Sequence, residues 1–188
     1  MARIDQLLES YKRHVALPLR PGLPLSQRVW FLVYSPEDER RMAVRISEFG
    51  LATQEAGLDW HLVGFTGAFA DWLDTLDEEE RAICLRDPEV VENYAEKGLR
   101  DFLCQRLRDA VDSVLPERAE HTVFVVTGLM ELYDFVHVSA VVDALGPHFP
   151  GVLLVCFPGE REGNTYRFLG ARTGWDYLAI PILADNRP

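Results

Sequence analysis

The chain has 188 residues, 48% of them hydrophobic, with 30 acidic and 19 basic side chains and a formal net charge of −11. That length fits one domain of α/β or α+β type, and the apolar fraction rules out wholesale disorder. No apolar run approaches the roughly 20 residues of a membrane span. Met1-Ala2-Arg3-Ile4-Asp5 lacks the charged-then-apolar pattern of a secretion signal, so a cytoplasmic location is expected.

The charge is uneven. Residues 1–30 carry five basic and two acidic groups, and residues 71–96 carry ten acidic and two basic groups. Net charges of +3 and −8 follow for the two stretches. An acidic chain is a poor general nucleic-acid binder, because phosphate neutralisation needs clustered Lys and Arg. The acidic stretch reads as a solvated helix face. Cys84, Cys104 and Cys156 are odd in number and lack C-x-x-C spacing; Cys104 and Cys156 read as small buried hydrophobes, and a reducing compartment is expected.

In chain order, Ile4, Leu7, Leu8, Tyr11 and Val15 have helical spacing. The helix ends in a connector, Leu17-Pro18-Leu19-Arg20-Pro21-Gly22-Leu23-Pro24. Residues 1–25 therefore form an N-terminal helix and Pro-rich connector, which packs as an arm or lies partly free, and residues 26–188 form an α/β domain. Val29–Tyr34 is a continuous apolar run of strand length. Ser35-Pro36-Glu37-Asp38-Glu39 then opens a helix to about residue 56, with Ser35 as cap and acids at the positive end of the helix dipole.

Trp60–Phe65 is the second strand. Thr66 is expected to cap a helix bearing Phe69, Trp72 and Leu73, and the run Asp77–Glu80 to end that section. A long helical pattern follows from Pro88 to Pro116. Residues 121–127 are the third strand, a loop or helix carries Leu129, Tyr133, Val138 and Val142, and Val152–Phe157 is the fourth strand. Tyr177–Ile182 is the fifth. Thr165–Leu169 either pairs with that last strand as an antiparallel hairpin, the preferred reading, or forms a short helix capped by Asn164.

Strands that alternate with helices and are apolar on both faces predict a single α/β domain. Its central sheet is mostly parallel, has about five strands, and carries helices on both faces. Ligands in such folds bind beyond the carboxyl ends of the strands. The segments placed there are Ser35–Asp38, Thr66–Gly67, Thr127–Glu131 and Pro158–Arg167.

The chain contains no G-x-G-x-x-G, no G-x-x-x-x-G-K-[ST] and only two lysines, Lys12 and Lys97. Nucleotide binding in the usual mode is thus disfavoured and no cofactor is expected. Glu37–Glu39 reads as charge compensation at a helix start, with a metal-binding acid cluster as the sharper alternative. No two of His14, His61, His121, His137 and His148 stand four apart as helical metal ligands do, and there is no G-x-S-x-G elbow. The richest segment is 157–167, with Glu160, Glu162, Asn164, Tyr166 and Arg167 as candidate partner-binding residues. Glu160 or Glu162 with Arg167 can bind a polar group, or their charges pair locally in a turn.

Three blocks resemble the BrxB family of BREX phage-defence systems, and together they span nearly the whole chain. The first is the N-terminal helix and Pro-Gly connector leading into Val29-Trp30-Phe31-Leu32-Val33-Tyr34-Ser35-Pro36-Glu37-Asp38-Glu39. The second is Gly57 through Trp72. The third, the most specific, is Val155-Cys156-Phe157-Pro158-Gly159-Glu160, then Asn164-Thr165-Tyr166-Arg167-Phe168-Leu169, then Trp175-Asp176-Tyr177-Leu178-Ala179. Relatives commonly carry acids around the end of the first strand, where this chain has Val33 and Ser35, a departure that argues against a metal site there.

The resemblance implies a small cytoplasmic, non-enzymatic assembly component of a multi-protein antiviral defence complex. Such a component is encoded beside an alkaline-phosphatase-like PglZ protein, a large AAA+ ATPase and an adenine methyltransferase. It implies no catalytic residues. The competing expectation is a degenerate nucleotide- or phosphate-binding, nuclease-like domain using Glu37, Asp38, Glu160 and Glu162.

Overall fold

Val29–Tyr34 is buried along its whole length, and the rest of the chain is arranged around it. A computed structural model describes residues 3–20, 22–133, 135–146, 148–163, 165–168, 175–176 and 178–184. Helix α1 (Arg3–Val15) and a short α2 (Leu25–Arg28) lead into β1 (Val29–Tyr34). A 3-10 turn at Pro36–Asp38 opens α3 (Glu39–Glu55), followed by β2 (Asp59–Gly64), α4 (Ala68–Leu73), α5 (Glu78–Arg86) and α6 (Pro88–Asp112). Then come α7 (Pro116–Ala119), β3 (Thr122–Thr127), a 3-10 turn at Leu129–Leu132 and α8 (Val138–Leu145). The chain continues through β4 (Val152–Glu162), β5 (Thr165–Phe168), β6 (Trp175–Asp176) and β7 (Ile180–Ile182).

The sheet runs β2-β3-β4-β1-β7, and every pair along that path is parallel. The predicted single α/β domain with a mostly parallel sheet is therefore what forms. Alternate residues of β1 face two separate cores. Val29, Phe31 and Val33 pack with α4, α5, α6, α8 and β5. Trp30, Leu32 and Tyr34 pack with α1 and α3. Burial on both faces explains why β1 reads as an unbroken apolar run rather than an alternating one.

Helix α1 lies against the second face with Ile4, Leu7, Leu8, Tyr11 and Val15 buried. The Tyr11 hydroxyl meets Thr53 Oγ1 of α3 at 2.5 Å. Arg45 of α3 reaches Asp5 of α1 at 2.5 Å. Arg28 ties the connector to the turn before β4, donating to the carbonyls of Leu23 at 3.0 Å, Phe149 at 2.5 Å and Gly151 at 2.7 Å.

Three local expectations need correction. Thr66 does not cap α4; Gly67 occupies that position with φ +77°, and its N–H donates to Glu131 Oε2 at 2.5 Å. The Asp77–Glu80 run does not close a section but opens α5, where the Asp77 carboxylate accepts from the Glu80 N–H at 2.8 Å. Three acids in a first turn suit the positive end of the helix dipole, and a capping Asp supplies the missing acceptor. Ser35 precedes the 3-10 turn without a side-chain capping bond.

The largest difference lies after Phe157. Gly159–Glu162 and Thr165–Arg167, from the segment richest in polar groups, lie in strands. Strand β4 continues to Glu162 and β5 returns antiparallel to it, pairing Gly159 with Phe168 and Glu160 with Arg167. The antiparallel hairpin near the C-terminus is present, with different partners from those expected. Strand β5 pairs with β4 and with β6, while β7 joins β1 in parallel. The alternative short helix does not form at Thr165–Phe168. Leu169, Gly170–Gly174 and Tyr177, also part of that expectation, lie outside the described residues.

Candidate functional site: the carboxyl edge between β1 and β4

Strands β1 and β4 are neighbours, in register from Val29↔Leu153 to Tyr34↔Pro158. Their exits diverge. From β1 the chain passes to α3 on the α1/α3 face, whereas from β4 it turns into β5, whose Tyr166 and Phe168 join the opposite core. Adjacent strands whose connections leave toward opposite faces create a crevice outside their carboxyl ends.

A cavity of about 390 Å³ lies there. Its floor comes from Val33 and Tyr34, and one wall from Ser35 and Asp38. The extended part of β4, Gly159-Glu160-Arg161, forms the second wall, and Arg3, Gln6 and Leu183 close the rim.

Each polar group there has a local physical setting. Asp38 is buried, and Arg41 one helical turn on donates to its Oδ1 at 3.0 Å. Tyr34 donates its hydroxyl proton to Glu39 Oε2 at 2.6 Å. Burial is the main cause that pushes the Tyr34 phenol up, with nearby negative charge and the bond to Glu39 adding to it. That phenol is a fixed hydrogen-bond donor, not an acid that works at neutral pH. Glu160 and Arg161 are exposed on the wall. The Arg161 guanidinium sits 6.0 Å from the centre of the Tyr166 ring, at the outer limit of a cation–π contact.

The sequence candidates separate clearly. Glu160 lines the crevice. Glu162 and Arg167 pair with each other at 2.5 Å, on the exposed face of the hairpin. The reading in which these charges pair locally is thus the observed one for Glu162, although across a strand pair rather than within a turn. Tyr166 is 1% exposed. Its ring lies 4.8 Å from that of Phe31, and its hydroxyl donates to the Ala179 carbonyl at 3.0 Å, so it is a core residue and offers no surface to a partner. Asn164 lies outside the described residues.

The acid run at the end of β1 also splits. Glu37 is exposed, Asp38 faces the crevice and Glu39 holds Tyr34. Among the described residues, no group of three or more His, Cys, Asp or Glu side chains is arranged to hold a metal ion.

Sequence reasoning missed the surface beside the crevice. Arg3, Arg40, Arg41 and Arg45 surround an apolar groove of about 510 Å³ between the start of α1 and the first half of α3. The groove shares Arg3, Ile4 and Asp38 with the crevice. The signal was legible: Arg40 with Val44, and Arg41 with Arg45, stand four apart in a helical pattern. Nothing local in the sequence places Arg3 beside them.

The other predicted edge segments meet between β2 and β3. A side chain at Gly128 (φ +79°) would come within 2.5 Å of the Thr66 backbone nitrogen, so only glycine lets the two turns abut. Glu131 is spent on the Gly67 N–H. Among the described residues, no helix is long and apolar enough to cross a membrane. No family model, curated protein or solved structure matches this chain.

Proposed function

We propose that the chain is a non-enzymatic docking component of a BREX-type anti-phage complex, receiving a partner protein at the carboxyl-edge crevice. One observation supports this reading most. Two of the blocks on which the BrxB resemblance rests, Tyr34–Asp38 and Phe157–Glu160, are more than a hundred residues apart in sequence. The pairing of β1 with β4 brings Tyr34, Ser35 and Asp38 of the first block and Gly159 and Glu160 of the other to line one crevice. Mixed charge on those walls suits a protein surface, where polar rims set register and specificity.

The partners in this reading are the PglZ-type protein first, then the AAA+ ATPase, with the methyltransferase reached through the complex. DNA is met through the complex rather than by this chain alone. Free DNA binding is weak and salt-sensitive, in the non-specific range of about 10⁻⁴ to 10⁻⁶ M.

The test is capture of each co-encoded protein by the purified chain, with Glu160→Arg and Arg161→Glu as surface variants. Retention of PglZ or the ATPase by the native chain, weakened by those changes at unchanged melting temperature, is the expected result. Native-level capture by both variants would remove the crevice from the interface.

A second reading has its own observation: Asp38 and Glu160 face the same switch-point crevice, where α/β enzymes hold phosphorylated ligands. Its test is hydrolysis of ATP, DNA or a phosphodiester with Mg²⁺, Mn²⁺ or Zn²⁺. Turnover that disappears in Asp38→Ala and Glu160→Ala would establish this reading over the docking one.

A further inference from the structure

The groove between α1 and α3 is a basic, apolar surface on a chain whose net charge is −11. Two of its four arginines are already neutralised. Arg41 is paired with Asp38, and Arg45 with Asp5 and Glu48. Arg3 and Arg40 are exposed and make no ion pair among the described residues. Between them Val44 is 81% exposed, and Leu51, two turns further along α3, is also exposed. A surface of this kind suits a helix that offers an apolar side chain flanked by carboxylates.

The protein itself carries an acidic helical surface with an exposed apolar side chain. Residues 71–96, with ten acids against two bases, cover α5 and the start of α6. Within α5, Glu78 and Glu79 are exposed and form no ion pair among the described residues. Leu85, in the same helix, is 71% exposed, and Ile83 and Tyr94 are exposed as well. Glu78 and Leu85, seven residues apart, lie on the same side of α5. Helices α5 and α6 pack on the sheet face opposite α1 and α3, so one molecule cannot bring its two surfaces together.

We propose that the arginine groove of one molecule binds the α5/α6 acidic face of a second copy, so that the protein self-associates head to tail. Val44 and Leu85 are the apolar anchors, and Arg3 and Arg40 face the carboxylates of Glu78 and Glu79. The contact is heterologous, since the two surfaces differ. It therefore builds a ring or an open chain rather than a two-fold dimer. Being largely electrostatic, it weakens as salt rises.

Sedimentation velocity of the native chain over a range of concentrations, at low and high salt, tests this. Two surface variants complete the experiment: Arg40→Glu with Val44→Asp, which spoils the groove, and Glu79→Lys with Leu85→Asp, which spoils the acidic face. All four positions are exposed, and circular dichroism checks that each variant folds; Arg40→Glu alone serves as the milder change.

The native chain should associate with concentration, less so in high salt. Each variant alone should associate about tenfold or more weakly. The two mixed together should form a one-to-one pair that grows no further, because one intact groove meets one intact acidic face. A native chain that stays monomeric throughout, association untouched by either variant, or a mixture that forms no pair would each overturn the proposal. So would a groove that binds only a co-encoded protein. The variants leave Ser35, Glu160 and Arg161 of the crevice intact, so loss of self-association and loss of partner capture are read separately.

Discussion

Arg167 holds Glu162 across the β4–β5 hairpin, its Nη2 2.5 Å from the Glu162 Oε2, while the residue directly opposite Arg167 in the strand register is Glu160. The diagonal pairing leaves Glu160 free to line the crevice. It also sets the cost of losing Arg167. The pair is exposed, at 45% and 69% of the two side chains, and pairs of that kind contribute roughly 0–1 kcal/mol. Arg167→Ala should leave the melting temperature nearly unchanged. Tyr166→Ala, one residue away, empties a fully buried site against Phe31 and Phe157 and should cost about 3–5 kcal/mol in urea unfolding. Equal losses in the two variants would contradict the hairpin geometry.

Gly159 marks the point where β4 leaves β1 for β5. A methyl group there would lie 2.2 Å from the Arg167 carbonyl oxygen and 2.6 Å from Phe157 Cε1. Backbone cannot retreat as a flexible side chain does, so the hairpin must shift away from the sheet. Gly159→Ala should cost about 1–3 kcal/mol, the range of overpacked sites. Amide exchange should speed up at Arg161 and Tyr166 before it does so in β3. Unchanged stability and unchanged exchange would mean that the strands do not approach this closely.

Arg28 satisfies three carbonyls that belong to the connector and to the turn before β4. Charge-assisted bonds are the stronger kind, and the carbonyls left behind are partly screened from water. Arg28→Ala should lower stability by about 2–4 kcal/mol. Arg28→Lys should recover only a fraction, since one ammonium cannot reproduce the planar fork. Full recovery by lysine would show that charge alone matters here.

His14 stands edge-on to Trp30, with ring centres 4.5 Å apart, and burial holds its pKa below the ordinary histidine value. In the unfolded chain it titrates near its ordinary value of about 6.5. Between the two values the unfolded state binds more protons, so stability falls as pH drops through that window and levels off below the folded value. Urea unfolding at pH 7.5 and 5.5 should show the native chain losing more stability than His14→Phe, in which this titration is absent. Identical pH dependence in the two proteins would exclude His14 as a source.

The sequence by itself determined the sheet's central strands and the class of fold. Val29–Tyr34, Val123–Val126 and Val152–Phe157 are buried on both faces, and two-sided burial leaves a mark in the sequence, an unbroken apolar run. It determined α1 as well, because Ile4, Leu7, Leu8, Tyr11 and Val15 repeat at helical steps.

Only the tertiary structure decided where β4 ends. Pro158-Gly159-Glu160 carries turn signals, and a strand continues through it only because the β5 backbone passes close enough to exclude a side chain at Gly159. It also decided the site, since the crevice and the groove are made by residues distant in sequence. Tyr34 comes beside Pro158, and Arg45 beside Asp5, through packing of separate elements. Local sequence encodes periodicity and caps. Which strand lies next to which is settled by long-range burial, and the charged groups take their partners only after that choice is made.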